Sequence, residues 1–590
     1  MESCSTQVVL PLVGLTAHKV IRDRYNRMTS LRIDEESKMF TKPLIPVTLA
    51  TLFLFPCFAG QLNAQQRDYP LGGASKPRPQ MKMNRSGQYK RVHQLALRYV
   101  LRERFDDAQQ VLDDFIDEHP RDEESRFLMG ILRAQEGQTD AAIEQFHRAV
   151  ELGLPAQRLI AGPRSVLEPV LSTEYMRGLF NRHATDLVHG PMVGDVTDHS
   201  ASIWVRVAGE SEIRVIASRR ADLSDPIARA AGSAAAEDDF TCVIPINGLK
   251  PNSKYHYGVK IDDGPVHASP QQWFRTFDKP GSPVRFTLAF GGGAGFVPDN
   301  ERMWDTIDET EPDLMFLLGD NVYIDDPESV EMQQYTYHRR QSRPEWRRLV
   351  AHTPVFTIWD DHDFSTNDSW GGPRVDIPFW KRDYAWTIFK QNWVNPGYGG
   401  GYGQPGCWYA FAVGDVDFIM LDCRYYRTDP RGDDPSMLGP VQIEWLKRQL
   451  AESTGTFKVI CSSVPWDYRT KGDSRDTWNG YRGEREDIFG FIEDEKIEGV
   501  VLMSADRHRS DAWRIKRPNA YDFYEFNSSR LTNQHVHGEK SEAIFSYNKK
   551  QSFGHVTFDT TRDVPRVTYE VITIDGEPKH SLTVQRDQLQ

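Results

Sequence analysis

The run Val355-Phe356-Thr357-Ile358-Trp359 and its continuation, Asp360-Asp361-His362-Asp363-Phe364-Ser365-Thr366-Asn367-Asp368, decide how the chain is read. Five consecutive β-branched, aromatic or apolar residues suit a strand buried on both faces. That strand passes without a break into four ionisable residues. Three other apolar runs end in the same way. Leu314–Leu318 leads into Gly319-Asp320-Asn321-Val322-Tyr323, residues 418–421 into Asp422-Cys423-Arg424, and residues 499–503 into Ser504-Ala505-Asp506-Arg507-His508. Segments of helical spacing lie between the strands, for example residues 441–450. From Ser282 onward the alternation predicts an α/β domain with its sheet covered on both faces. Ligands of such sheets collect at the carboxyl ends of the strands.

Any one of these clusters could be an ordinary turn or a solvated loop. Four of them after buried strands would crowd carboxylates, two histidines and a tyrosine along one sheet edge. Such crowding is strongly repulsive unless a cation relieves it. Hard oxygen ligands suit calcium, magnesium or manganese, whereas a phenolate with imidazole suits iron. The stretch Gly291-Gly292-Gly293-Ala294-Gly295 is not a nucleotide loop, since it lacks the Lys-Ser/Thr of a P-loop and Phe296 spoils a GxGxxG pattern. Neither Cys423 nor Cys461 sits in a recognisable nucleophile loop.

The rest of the chain adds smaller modules. A length of 590 residues suggests about four domains. The net charge of −13 argues against non-specific nucleic-acid binding. Six scattered cysteines without a CxxC pair are not a disulfide framework. Residues 44–60, LIPVTLATLFLFPCFAG, follow Lys42 and read as the apolar core of a signal peptide within residues 1–64, with Met39 the better start. An uncleaved membrane anchor is the other reading of that segment; export is the expectation. Residues 65–83 are rich in Gly, Pro and Gln and read as a linker. In residues 84–160, Arg104-Phe105-Asp106-Asp107-Ala108 recurs 34 residues later as Gln138-Thr139-Asp140-Ala141-Ala142. This is the period of tetratricopeptide-like helix pairs, expected to pack on another part of the chain, as a spacer or lid or as a surface for a protein partner. Short strands with turns over residues 189–278, with a Leu-Lys-Pro-Asn-Ser-Lys-Tyr turn at 249–255, predict a fibronectin III-like β-sandwich. The whole is therefore read as multidomain: helical hairpins, a β-sandwich, then an α/β domain over residues 282–577.

The order GDNVY, IWDDHDFSTND, LDCRYYR and a strand ending in ADRH resembles the PhoD-like alkaline phosphatases of the wider metallophosphatases. The pieces NPGYG at 395–399, MLGP at 437–440, WNGY at 478–481 and SSRLT at 528–532 resemble them too. The resemblance runs from His189 to about residue 577 and includes the β-sandwich, not the helical repeats, and it implies that the α/β domain is a metallophosphatase sandwich. It implies that Asp320 bridges metals and that Tyr323 is a phenolate ligand to a ferric ion. It implies further that Asp360, Asn367, Asp506 and His508 complete the shell, with calcium beside the iron, or manganese or magnesium instead. His362 is then the general acid or a donor to the phosphoryl group, Asp361 and Asp363 orient the ligands, and Arg424 contacts phosphate oxygens. The implied reaction is in-line attack of a metal-bound hydroxide on a phosphate monoester or diester. One departure stands out: the family has a thiolate ligand after the first strand, where this chain has Gly293. Ala505 also replaces a usual glycine. A phosphodiesterase of lipid or cell-wall polymers, and a catalytically impaired binding protein that uses the helical repeats, are the competing readings.

Overall fold

The structure, a computed structural model, describes residues 89–372, 374–518 and 520–590. The signal segment, the linker and the first residues of the helical region lie outside them. No helix among the described residues is long and apolar enough to cross a membrane. The cysteines among them, Cys242, Cys407, Cys423 and Cys461, are all free.

Four helices, Tyr89–Leu101, Phe105–Glu118, Glu123–Gln135 and Thr139–Leu152, occupy the repeat region. Positions one period apart are buried alike: Ala108 with Ala142, Leu112 with Phe146, Phe115 with Ala149. Gly130 permits the second pair to close, because a Cβ there would stand 2.3 Å from the Phe146 ring. Three shorter helices, Ala156–Ala161, Arg164–Leu171 and Glu174–Arg182, lead on to the next module. The helices lean on the α/β domain. Gln94 donates to the carbonyl of Tyr323, Arg98 pairs with Asp326 at 3.0 Å, and buried Arg158 donates to Glu124 at 3.2 Å and to the carbonyl of Tyr335 at 3.4 Å.

Two antiparallel sheets follow. One holds strands β1 (His189–Gly194), β2 (Ser200–Arg206) and β5 (Thr241–Asn247). The other holds β3 (Ser211–Ser218), β4 (Ala228–Ala234), β6 (Lys254–Ile261), β7 (Val266–His267) and β8 (Trp273–Arg275). Trp204 donates to the carbonyl of Gln391 at 2.8 Å and Tyr257 to that of Ala351 at 2.7 Å, fastening this module to the α/β domain. A buried polar junction does the same. Asp239 accepts from Arg206 at 2.7 Å and from His338 Nε2 at 2.8 Å. Burial alone would raise the Asp239 carboxyl, but Arg206 and His338 hold it down to about 2. Arg206 also donates to His189 Nδ1 at 2.8 Å, which leaves the His189 Nε2 proton for Ser342 Oγ at 2.8 Å.

The α/β domain is a sandwich of two sheets packed face to face, where the alternation taken alone reads only as a covered sheet. The first, of six strands, runs in the order β11 (Val355–Ile358), β10 (Leu314–Leu318), β9 (Arg285–Gly291), β19 (Ser552–Asp559), β20 (Arg566–Thr573), β21 (Pro578–Gln585). The second, of seven, runs β12 (Tyr409–Val413), β13 (Val416–Met420), β14 (Phe457–Cys461), β15 (Val500–Ser504), β17 (Phe523–Ser528), β16 (Ser510–Ile515), β18 (Phe545–Tyr547). The central pairs β9–β10–β11 and β13–β14–β15–β17 are parallel. Their residues are nearly all buried, which is why these strands read as unbroken apolar runs. Phe316 and Phe356 of the first sheet pack on Phe418 and Phe411 of the second, at ring separations of 5.0 and 4.1 Å. The domain also continues past residue 577, since β21 adds an antiparallel edge to β20 and Leu589 is fully buried.

Candidate metal centre

The ends of β9, β10, β11 and β15 converge. Gly319 turns the chain after β10 with φ 97°, and a Cβ there would lie 2.5 Å from that of Asp360. The two carboxylate loops can approach this closely only because this residue is glycine. A Cβ on Gly292 would likewise meet Ala505 at 2.7 Å and the Gly319 carbonyl at 2.9 Å. Asp320, Asp506 and His508 all have positive φ, at 53°, 68° and 45°. Such backbone is held only where the surroundings impose it, and it is common at functional sites.

Asp320 is buried. Its Oδ2 accepts from the Tyr323 hydroxyl at 2.8 Å, while Oδ1 has no hydrogen-bond partner among the described residues. Burial, reinforced by Asp361, Asp360 and Asp363, raises its carboxyl well above the usual range although His362 opposes this. Tyr323 also accepts from Asn533 at 2.6 Å. Burial and then the Asp320 charge raise its hydroxyl, so without a cation it is a phenol rather than a phenolate.

Asp360 receives the Arg424 guanidinium at 2.5 Å and Ser463 Oγ at 2.8 Å on Oδ1, and its Oδ2 is buried without a partner among the described residues. Burial, and then Asp361 and Asp506 against the pull of Arg424, put its carboxyl at about 7. Asp361 accepts from the backbone N–H groups of Asp368 and His362. Asp363 accepts from the backbone of Asn321 at 3.2 Å, Val322 at 3.0 Å and Asp360 at 3.0 Å, and so ties the two carboxylate loops together. His362 sits on the Tyr323 ring at 4.4 Å with Nδ1 against Asp325 Oδ1. Burial disfavours its charge, yet Asp361, Asp325 and Asp320 outweigh that and bring the imidazole up to about 10.

Two sets of ligand atoms lie within 4.8 Å of one another: Asp320 with Asp361 and His362, and Asp361 with Asp368 and Asp476. The residues therefore fit a cation. Two buried carboxylate oxygens lack a donor among the described residues, and the carboxyls are pushed upward by one another, a repulsion that a di- or trivalent ion removes. Asp506 lies beside these groups and is bonded to Lys471 at 3.2 Å. Burial opposes its ionisation, but Lys471 and Arg507 hold it ionised below the usual range.

Two sequence expectations sit differently in the structure. Arg424 is fully buried behind the cluster, with its donors on Asp360, on the Ser369 carbonyl at 3.0 Å and on Asp476 at 2.8 Å. Those bonds make it a holder of carboxylates, not a phosphate contact, because its donors are already taken by the protein. Asn367 is exposed, and it is its neighbour Asp368 that joins the carboxylates. Gly293 has φ 67°, and a Cβ on it would lie 3.0 Å from the Arg530 nitrogen and 3.1 Å from His508 Nδ1. The loop is thus shaped for glycine there.

Other participants carried no sequence signal. Asp325 holds His362. Ser463 holds Asp360. Asp476 gathers Arg424, Arg427 and Lys471 at 2.8, 2.8 and 2.7 Å. Asn533 holds Tyr323. Each lies in a loop, and only tertiary contact reveals it.

Comparison with known proteins agrees with this geometry. Residues 288–573 match the family described as PhoD-like phosphatase, and residues 184–278 match one described as a domain of unknown function (DUF7800). Alkaline phosphatase D of Bacillus subtilis (strain 168) is 25% identical over 399 residues, covering 60% of this chain; the match spans 64% of that relative's own length. Among solved structures, that of PhoD superposes with a TM-score of 0.59 at 19% identity, covering 67% of this chain and 90% of the other. Purple acid phosphatase PPD1 from yellow lupin (Lupinus luteus) seeds superposes at 0.50 and 14% identity, covering 68% and 75%. At these identities the two structures speak for the fold alone.

Proposed function

We propose that this chain, in which residues 288–573 match the PhoD-like phosphatase family, is a metal-dependent phosphoric ester hydrolase. The observation that carries the reading is the pair of buried oxygens without a hydrogen-bond partner among the described residues, Asp320 Oδ1 and Asp360 Oδ2, at neighbouring strand ends beside His362. Asp320, Tyr323, Asp360, Asp361, Asp506 and His508 are the groups that would hold the ions, with iron and calcium the proposed pair and manganese or magnesium the alternatives. Bound ions would activate water and neutralise charge on the phosphoryl oxygens.

The chain's own groups supply the rest. His362, with Nδ1 held against Asp325 Oδ1, is the group proposed to give a proton to the leaving-group oxygen. Asp325 fixes the orientation of its ring. Asp363 and Arg424 keep the carboxylate loops in register. Export, inferred from residues 44–60, would put the reaction outside the cytoplasm.

The test uses chain beginning at Gln65, supplied with calcium and iron, and follows p-nitrophenol release from the aryl monoester and the bis-aryl diester. Asp506→Ala is the control. Turnover lost with that change supports the reading, and the ratio of the two rates separates monoesterase from diesterase. Metal bound without turnover above the control refutes it in favour of a binding protein.

A further inference from the structure

The phosphate contact expected of Arg424 is left unfilled, since that guanidinium serves carboxylates. Other cations around the cluster are spent in the same way. Lys471 divides its donors among Asp476 at 2.7 Å, Asp506 at 3.2 Å and Asp368 at 3.4 Å. Arg427 donates to the Tyr481 hydroxyl at 2.8 Å. Arg509 donates to Asp511 at 3.0 Å and to the Thr470 carbonyl at 2.9 Å, and Arg530 to the Asn548 carbonyl at 2.6 Å.

Arg507 differs. It stands between Asp506 and His508 in the turn after β15 and is only 7% exposed. Its side chain donates no hydrogen bond to any of the described residues, and its Nε is enclosed without a partner among them. Asp506 Oδ2 lies 3.6 Å from Nη1, beyond hydrogen-bond length, and that oxygen already receives Lys471. His537 Nδ1 donates to the Arg507 carbonyl at 3.0 Å and so holds its backbone. The His537 imidazole offers no counter-charge: burial, and then the Arg507 charge, lower it to about 4. A guanidinium has five N–H donors in a fixed plane. Burying them unused is costly, so a group in this state beside a cluster of carboxylates is one that a ligand completes. The planar fork matches two oxygens of a phosphoryl group.

We propose that Arg507 receives the phosphoryl oxygens of substrate and product. This rests on the hydrolase reading given above and names the binding group that reading lacked. Asp506 is one of the residues proposed to hold the ions, so a phosphoryl group drawn to the centre comes to stand beside this guanidinium. A plain ion pair with Asp506, without a part in binding, is the alternative that the experiment weighs.

The probe is inorganic phosphate, added to the full chain supplied with metals. Its binding is read by calorimetry and by competitive inhibition of p-nitrophenyl phosphate hydrolysis. Arg507→Met removes the donors and keeps an apolar stem, and Arg507→Lys keeps the charge without the fork. Arg507→Met should weaken phosphate binding and lower kcat/KM roughly 10–150-fold, the loss of one hydrogen bond to a charged group. Metal content should be unchanged and the urea midpoint no lower than that of the wild type, because no hydrogen bond within the protein is lost. Arg507→Lys should recover part of the affinity. Unchanged phosphate affinity and kcat/KM in Arg507→Met, with the wild type active, would overturn the proposal and leave the hydrolase reading standing. A wild type that neither binds phosphate nor turns over either ester would overturn both. Should the variants not fold, crystals of the wild type with phosphate decide. An oxygen at ~2.7–2.9 Å from a guanidinium nitrogen supports the assignment, and phosphate seated at the carboxylates out of reach of Arg507 overturns it.

Discussion

Replacing Asp239 by Asn tests the junction that fastens the β-sandwich to the α/β domain. The substitution keeps the shape of the side chain, and Asn tolerates the left-handed φ of 54° that Asp239 adopts. It removes the charge that faces Arg206 and His338. A carboxyl held at about 2 in the fold, against 3.8 ordinarily, contributes about 2.4 kcal/mol at neutral pH, or a factor of about 60 in the folding equilibrium. This agrees in scale with the roughly 3–5 kcal/mol lost when one partner of a buried ion pair is removed. The folded value is depressed, so the contribution is complete above 3.8 and disappears as pH falls through about 2. The gap between wild type and variant should therefore shrink to roughly half by pH 3. Urea unfolding followed by tryptophan fluorescence measures it, because Trp204 bonds to Gln391 across the same boundary. A gap under about 0.5 kcal/mol at pH 7, or one that does not change between pH 7 and pH 3, would refute the assignment of this stability to the Asp239 charge.

Three further outcomes are expected at the site. With chelator present, Asp320→Asn should raise the melting temperature, because a buried carboxylate whose pKa is raised destabilises the fold at neutral pH; the same change should abolish turnover with metals supplied. Arg98→Ala removes a half-exposed pair with Asp326, beside the Asp325 that holds His362. It should lower kcat by roughly twofold to fivefold, about 0.5–1 kcal/mol, with KM little changed, and an unchanged kcat would uncouple the helical unit from the site. Gly293→Cys should not install a useful thiolate. The positive φ and the contacts to the Arg530 nitrogen and His508 should instead cost about 1–3 kcal/mol, seen as a lower urea midpoint, and a more stable variant would show that the loop readily rearranges.

Much of the cluster was legible because its carboxylates and histidines lie just past buried strands. Runs such as Leu314–Leu318 and 355–359 are apolar throughout because parallel central strands are covered on both faces, and the polar residues that end them mark the sheet edge. The pattern singles out Asp320, Asp360, Asp361 and His362, and the fold brings Asp320, Asp361 and His362 together. Arg424 was misjudged because a sequence shows which donors a residue has and not which are already occupied. Asn367 and Asp368 are adjacent in a short loop, and only the fold decides which of the two faces the carboxylates.

By itself the sequence determined the strand and helix alternation, the 34-residue helical period and the carboxylate-rich strand ends, since each is a local pattern of side-chain polarity. The polarity pattern alone does not say which strands go to which of the two sheets. That depends on β19 returning to pair antiparallel with β9 across more than half of the α/β domain, a long-range choice with no local signature. Tertiary structure alone decided that Asp325 holds His362 and that Asp476 gathers Arg424, Arg427 and Lys471. Those groups come from loops, where position is set by what the loop packs against and not by any periodicity of its own.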